Sequence, residues 1–396
     1  MNCPEEDSGK VVLCVSCFAP VKVPGKGAPV KNENKLILNM DEGRLTGDFD
    51  FLGLGAQAPK ATVSQLTPPA PPVQAKDPDK ALANTALGVL RLNNWECKED
   101  DDYRSFTVTV KIRSQKNNVL HSENYRVTAD NGLLVIEVPV LALAPEPANA
   151  LQLLMVLNDL NMFAVGGVLL LTTQGIVMRH AMIPHSQQDG YFNVKMLQHC
   201  LRQIEFDRRR ARTVLQPLAE FKDYDPFAAE AAFKTAIAPG PVSVLSPKEL
   251  LELAIAAGYS VHSDPRHLCI ARPPAKADLS KVHLVSQNGH VRGTVSVGVI
   301  TSAKYVFSRC PARIRQSVEG STDWPSGKID QLYWLLNTLN HVSGVIKFVA
   351  MDKRIVATAT HFPTDRQMDT NQFTVMANAL IECAEASASH GQSPSA

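Results

Sequence analysis

The chain has 396 residues, 45% of them hydrophobic and 20% charged, with 40 basic against 39 acidic side chains. This length and apolar content suffice for two or three globular domains, each with its own core, and they rule out a chain that is disordered throughout. The formal net charge of +1 provides no global field that would attract nucleic acid or anionic lipid, so nucleic acid is not an expected partner.

Membrane insertion and export are also not expected. The longest apolar run, residues 163–171, is much shorter than the roughly 20 residues that a membrane-crossing helix needs. The first ten residues, MNCPEEDSGK, are polar and acidic, unlike a signal peptide. Eight irregularly spaced cysteines in a chain of this size favour reduced thiols over disulfides. We therefore predict a cytoplasmic protein.

A small head, residues 1–55, opens the chain with a cysteine knuckle. Cys14 and Cys17 form a CxxC pair, and Cys3 with Glu6 takes the place of a second pair. Four such groups can hold tetrahedral zinc, and carboxylate oxygen is an accepted ligand. One hard oxygen among thiolates weakens such a site, so a zinc site and a degenerate ribbon that has lost its metal are equally open. A zinc-dependent nucleic-acid contact by this head is one alternative function.

The end of the head carries apolar residues among acids and glycines, in the sequence KLILNMDEGRLTGDFDFLGLG. Phe49, Phe51 and Leu52 are the candidates for a motif that docks on a partner, and the last strand of a ribbon is the alternative. The next segment, residues 56–79, contains six prolines and predicts an extended, solvated linker.

The rest of the chain divides into two similar stretches, residues 80–222 and 246–388. LNDLN (157–161) and LNTLN (336–340) lie 179 positions apart, and at the same offset Pro184 matches Pro363. Each motif ends an apolar helix and is followed by two strand-like runs with a polar turn between them. Residues 223–245 form a linker with one short helix predicted at 227–237, and residues 389–396 form a polar tail.

The last helix of each stretch repeats one buried face at the spacing i, i+3, i+7, i+10. Its residues are Val194, Leu197, Leu201 and Ile204 in the first stretch and Phe373, Met376, Leu380 and Cys383 in the second.

The first helix of the second stretch has clear ends, and turns separate the strands of both stretches. Ser246 predicts an N-cap, with Pro247 in the first turn and Glu249 completing a capping box, and Gly258 ends the helix. Turns are predicted at residues 130–132 and 288–289, where Asn precedes Gly. Each stretch is thus helix, antiparallel strands, helix, hairpin and helix, an α+β domain.

This order of elements resembles the YbjN family of bacterial sensory-transduction regulators, whose fold is similar to type III secretion chaperones. The resemblance covers residues 80–222 and 246–388 and depends on the Asn pair, the hairpin and the proline. The second stretch departs from it in RCPARIRQSVEGSTDWPSGK, residues 309–328. The resemblance implies two tandem non-catalytic domains that bind protein surfaces, packed as an internal pseudo-dimer; a homodimer is compatible with it.

The four asparagines of the LNxLN motifs allow two interpretations. Asn158, Asn161, Asn337 and Asn340 could form a partner-binding face, or they could bond the free carbonyls at helix ends, which is the more frequent use of Asn. Unchanged stability on replacing Asn161 by Ala would contradict the second interpretation.

A hydrolytic enzyme is the main alternative to a binding protein. His180, His185, His199 and Cys200 lie close in sequence in the first stretch, but all four of their matching positions in the second carry neither His nor Cys. Phosphate-loop, zinc-protease and nucleophile-elbow motifs do not occur in the sequence. We therefore predict a non-catalytic adaptor that binds a protein partner and has no cofactor beyond the zinc of the head. The basic run at residues 208–212 predicts a solvated helix end.

Overall fold

The structure is a computed structural model. The residues it describes are 11–13, 20–22, 37–40, 77–114, 120–143, 147–184, 194–219, 231–232, 245–263, 268–272, 282–287, 290–311, 313–314, 318, 326–363 and 368–386. The predicted linker at 56–79 is described only at its end, and the predicted short helix at 227–237 only at residues 231–232, which are helical.

Three short strands precede the first half of the molecule, which comprises residues 77–219. They are β1 (Val11–Leu13), β2 (Pro20–Lys22) and β3 (Ile37–Met40). The first half then folds in the order α1 (Pro78–Leu92), β4 (Cys97–Glu99), β5 (Ser105–Ser114), β6 (Leu120–Asp130), β7 (Leu133–Ala142), α2 (Ala150–Phe163), β8 (Val168–Thr172), β9 (Gly175–Met182) and α3 (Val194–Ala219).

The second half, residues 245–386, repeats this order with two additional strands. Its elements are α4 (Pro247–Ala256), β10 (Ser260–Ser263), β11 (Leu268–Ala271), β12 (Val282–Gln287), β13 (His290–Ile300), β14 (Lys304–Phe307), β15 (Ser326–Lys328), α5 (Ile329–Val342), β16 (Ile346–Met351), β17 (Arg354–His361) and α6 (Thr370–Glu385).

Each half builds one antiparallel sheet with the same neighbour order, β4-β5-β6-β7-β9-β8 in the first and β10-β11-β12-β13-β17-β16 in the second. The strand β3 extends the first sheet and is parallel to β5. The strand β14 extends the second sheet beside β13, and β15, which lies within the predicted departure at residues 309–328, pairs with β14. Over its described residues the protein is α+β, with two sheets and six helices, which confirms the α+β part of the predicted fold class.

Local signals in the sequence set several of these boundaries. The hydroxyl of Ser246 accepts a bond from the backbone N–H of Glu249, whose carboxylate accepts from the N–H of Ser246 at 2.6 Å. This confirms the capping box. Gly258, with φ +81°, takes the left-handed conformation that ends α4. Asn131 and Gly132 both have positive φ and form the predicted turn between β6 and β7.

Each half encloses a hydrophobic core between its sheet and its helices. Leu197 of α3 and Met376 of α6, at matching positions, are fully buried in the first and the second core respectively. All the residues of the predicted helical face whose side chains are described are likewise buried, which leaves out only Val194. The repeated i, i+3, i+7, i+10 spacing therefore marks the two cores correctly.

The basic run at residues 208–212 does not end a helix, because α3 continues to Ala219. Arg208 is buried beneath the sheet, where it bonds Glu205 at 2.7 Å and Glu123 at 3.0 Å. The hydroxyl of Tyr125 donates to the same Glu205 at 2.7 Å. The expectation of a solvated helix end was wrong for Arg208, because acidic partners on α3 and β6 satisfy its charge inside the fold.

Candidate functional site

The LNxLN asparagines lie where the two halves meet, and two of them bond the edge strand of their own half. Asn161 on α2 donates to the carbonyl of Leu169 at 3.0 Å and accepts from its N–H at 2.7 Å. Asn340 on α5 bonds both backbone groups of Phe348 on β16 at 3.0 and 2.6 Å. Each amide thus binds an outer edge as a neighbouring strand would.

The other two asparagines bond the edge strand of the opposite half. Asn158 on α2 bonds the N–H and the carbonyl of Ala350 on β16 at 2.8 and 2.9 Å. Asn337 on α5 bonds both groups of Leu171 on β8 at 2.9 and 3.0 Å. All four donor and acceptor positions match at the offset of 179 residues, so the contact between the halves is reciprocal.

The contacts of the four asparagines agree with neither of the two interpretations drawn from the sequence. Asn158, Asn161 and Asn340 are buried and Asn337 is half-buried, so together they offer no open face to another protein. Their amides bond strand groups rather than the carbonyls of helix ends. The physical reason is that β8 and β16 are edge strands whose unpaired backbone groups are enclosed by α2 and α5 and require partners.

The halves also exchange one core residue each. Phe362, which follows β17, packs in the first core, and Ile183, which follows β9, packs in the second. These residues occupy matching positions, each directly before the proline of its half. The side-chain amide of Gln372 donates to the carbonyl of Ile183 at 3.1 Å and holds this crossing segment. Neither core is complete without the other half.

Cations from each half meet the carboxyl end of a helix in the other. Arg179 on β9 donates to the carbonyl of His341 at the end of α5. Arg292 on β13 donates to the carbonyl of Met162 at the end of α2, at 3.4 Å, and Lys347 on β16 donates to the next carbonyls, including that of Ala164 at 2.7 Å. A helix carboxyl end carries partial negative charge, so these contacts are favourable.

Lys347 and Asp207 are buried charges near this junction. Burial and, to a smaller extent, the nearby Arg292 lower the pKa of Lys347 to about 7, against the opposing effect of Asp207. Burial raises the pKa of Asp207 to about 6, although its carboxylate accepts from the backbone N–H groups of Val165 and Gly166 at 2.8 and 2.5 Å. These bonds order the residues after α2, which is a structural task.

The small cavity between the halves leaves little room for a substrate. Its volume is about 30 Å³, and its lining includes Arg179 and His180 from the first half and Lys347, Thr358 and Thr360 from the second. This is the space of about one water molecule.

Of the described His and Cys residues of the hydrolytic alternative, His180 lines this cavity, whereas His199 and Cys200 do not. Burial raises the pKa of Cys200 to about 12 and lowers the pKa of His199 to about 3. His180 and His199 face the ring of Phe362, with centroids at 5.5 and 5.4 Å. Among the residues that the structure describes, neither His bonds Cys200, so these groups form no nucleophile and base pair there. His185 lies outside the described residues.

The predicted site residues of the head also lie outside the described residues. These are the predicted metal ligands Cys3, Glu6, Cys14 and Cys17 and the predicted docking residues Phe49, Phe51 and Leu52. Within the part of the chain that is described, no three His, Cys, Asp or Glu side chains are gathered for a metal ion.

A surface that the sequence analysis missed lies on the exposed side of α2 and α5. We call it the helix-pair surface and define it by Leu151, Met155, Trp334 and Val342, which are 39%, 45%, 48% and 39% exposed. Met155 and Trp334 occupy matching positions in the two halves. Beneath them, Leu157 and Leu336 line the contact between the two helices. The helices α2 and α5 contain more apolar residues than one buried helix face requires, and this excess was the only signal of the surface in the sequence.

No protein-family model, curated protein or solved structure matches the chain. No helix among the described residues is long and apolar enough to cross a membrane.

Proposed function

We propose that the chain is a non-catalytic adaptor, built from two tandem domains of the YbjN and type III secretion chaperone kind, that binds a polypeptide on the helix-pair surface. The order of elements in each half supports the resemblance, since both follow helix, strands, helix, hairpin and helix. The reciprocal contacts of the asparagines support the internal pseudo-dimer.

The observation that carries the binding function is the exposure of Met155 and Trp334 at matching positions of two packed helices. Single exposed apolar residues are ordinary, but large ones on a paired surface are typical of protein contacts. Trp and Met are both enriched in such contacts, and Met adapts its shape to different partners.

The charges of the two helices define the partner further. The helices α2 and α5 contain Asp159 and Asp330 but no Lys or Arg. A segment with apolar side chains and basic residues beside them complements this surface in both respects. The partner is therefore an amphipathic, basic polypeptide segment.

A designed peptide tests this proposal directly. The probe is a fluorescein-labelled amphipathic helix of Leu and Lys, and its anisotropy is measured with the full chain. We expect saturable binding that weakens by more than about tenfold, or ~1.4 kcal/mol, in the double variant Met155→Glu and Trp334→Glu.

The matched control places the same charges on other exposed apolar residues. Leu92 and Ile255 are 84% and 60% exposed and lie on α1 and α4. The variant Leu92→Glu with Ile255→Glu should bind the peptide as the unaltered chain does. Equal losses in both double variants, or no saturable binding to the unaltered chain, would contradict the proposed surface.

A further inference from the structure

Two histidines flank a cysteine across three neighbouring strands of the second sheet. His262 on β10 lies directly opposite Cys269 on β11, and Cys269 lies directly opposite His283 on β12. Opposite residues of antiparallel strands have Cβ atoms about 4.5–5.5 Å apart. The neighbours Leu268 and Ile270 point into the second core, so the alternation of the strand places this row on the other face.

The row combines a sheltered thiol with accessible imidazoles. Cys269 is 5% exposed, whereas His262 and His283 are both exposed. The sulfur of Cys269 lies 3.4 Å from Nδ1 of His283, so this pair is already in contact. One thiolate and two imidazoles form a ligand set that suits zinc and similar divalent ions, with a fourth position left for water.

We propose that His262, Cys269 and His283 form a binding site for a divalent transition metal such as Zn²⁺. The three side chains have not converged on one point, in keeping with the absence of a gathered metal cluster from the described residues. His262 lies directly opposite Cys269, and its side chain is exposed, so no core packing opposes the rotation that the proposed site requires of it. Metal binding releases the thiol proton of Cys269 to solvent, and the thiolate and imidazoles donate their electron pairs to the ion.

The site is independent of the adaptor function, because it lies at the β10 edge of the second sheet, away from α2 and α5. It also shares no residue with the predicted zinc knuckle of the head. The ion would fasten β10 to β11 and β12, at an edge where β10 has only four residues.

Cobalt titration provides the test, since a Co²⁺–thiolate bond gives strong near-ultraviolet absorption and tetrahedral Co²⁺ gives visible bands. The full chain is used with Cys3, Cys14 and Cys17 replaced by Ser, which removes the thiolates of the head. We expect one equivalent of Co²⁺ to produce both absorptions and Zn²⁺ to displace it. In this background Cys269→Ser should abolish the thiolate absorption, and His262→Asn or His283→Asn should weaken binding by at least the ~10- to 100-fold typical of outer ligand partners.

The matched control is Cys97→Ser in the same background. Cys97 lies on β4, the strand that corresponds to β10, and pairs with Val108 rather than with histidines. This variant should retain the cobalt absorption. Absorption that persists in Cys269→Ser, disappears in Cys97→Ser, or is absent before any further substitution would overturn the site. His262→Asn changes only an exposed side chain, so it keeps the test decisive even if Cys269→Ser impairs folding.

Discussion

The two halves share their apolar cores and their asparagines but differ in buried charge. Glu205 and Asp207 on α3 are completely buried. Their matching positions are Ala384 on α6 and Ala386 directly after it. The first half thus supports its last helix with an ionic network that joins α3 to β6, where the second half has the buried small side chain of Ala384 at the position of Glu205.

This difference shows which features the shared plan requires. Hydrophobic burial and the closing of β8 and β16 by amides occur in both halves, so either half depends on them. Within the part of the chain that the structure describes, buried ion pairs occur in the first half only. A small apolar side chain takes the matching position of Glu205 in the other half. Buried ion pairs often contribute little net stability, yet breaking one is costly because a buried charge is left alone.

Removal of Glu205 should give the largest effect and sharpen this contrast. Glu205→Ala leaves the guanidinium of Arg208 with Glu123 and the carbonyl of Pro139, and it removes the acceptor of the Tyr125 hydroxyl. We expect the free energy of unfolding to fall by about 3–5 kcal/mol, measured by urea denaturation.

An exposed acidic residue on another helix serves as the control. Glu252 on α4 pairs only with Lys248 at the surface, at 3.7 Å, so Glu252→Ala should change stability by less than about 0.5 kcal/mol. Similar losses for the two variants would mean that the ionic network of the first half is not a special support.

The pH dependence of stability should separate the halves by a smaller amount. His180 has Ala359 at its matching position, and burial lowers the pKa of His180 to about 4. In the unfolded chain its pKa is near 6.5, so the unfolded state binds more protons between these values. Stability is therefore lost as the pH falls from about 6.5 to 4, by at most about 3 kcal/mol. His199, with a pKa of about 3, acts in the same direction.

Asp207 changes the stability with pH in the opposite direction, so the measurement must cancel its contribution. Burial raises its pKa to about 6, so the folded state binds the extra proton and gains stability as the pH falls through this value. Comparison of His180→Gln with the unaltered chain cancels this contribution. Urea midpoints from pH 7 to 4.5 should fall less steeply in the variant. Parallel curves would show that His180 is not a neutral, buried group.

The sequence predicted the layered fold well because its signals are local or periodic. The capping box at Ser246, the turn at Asn131 and the helical face around Leu197 and Met376 each depend on residues close in the chain. The positions of the halves relative to each other depend on contacts between residues some 160–190 positions apart, such as Asn158 with Ala350. No local pattern encodes such a contact.

The chemistry of the polar residues was the harder part for the same reason. In the sequence Asn158 has the pattern of a helix-end residue. In the structure it instead bonds an edge strand of the other half. In the sequence Arg208 has the pattern of an exposed residue. In the structure Glu123 of β6 pairs with it inside the fold. Ile183 and Phe362 lie at matching positions before the two prolines, and the 179-residue offset shows this in the sequence. That each packs in the core of the other half is visible only in the structure.

The smallest expected effects come from the asparagines that join the halves, and they test whether the two directions of the contact are equivalent. Asn158→Ala removes the amide that bonds the N–H and carbonyl of Ala350. Asn337→Ala removes the amide that bonds Leu171, but the carbonyl of Leu171 keeps His341 Nε2 at 3.2 Å. We expect losses of about 2 kcal/mol for Asn158→Ala and less for the half-buried Asn337, from urea denaturation. The double variant should unfold in two transitions, one for each half, whereas Asn161→Ala, which loosens only the edge of its own half, should keep a single transition at lower urea. Two transitions in Asn161→Ala, or a single transition in the double variant Asn158→Ala with Asn337→Ala, would show that the asparagines do not couple the unfolding of the two halves. The exchanged residues Ile183 and Phe362 would then suffice for this coupling.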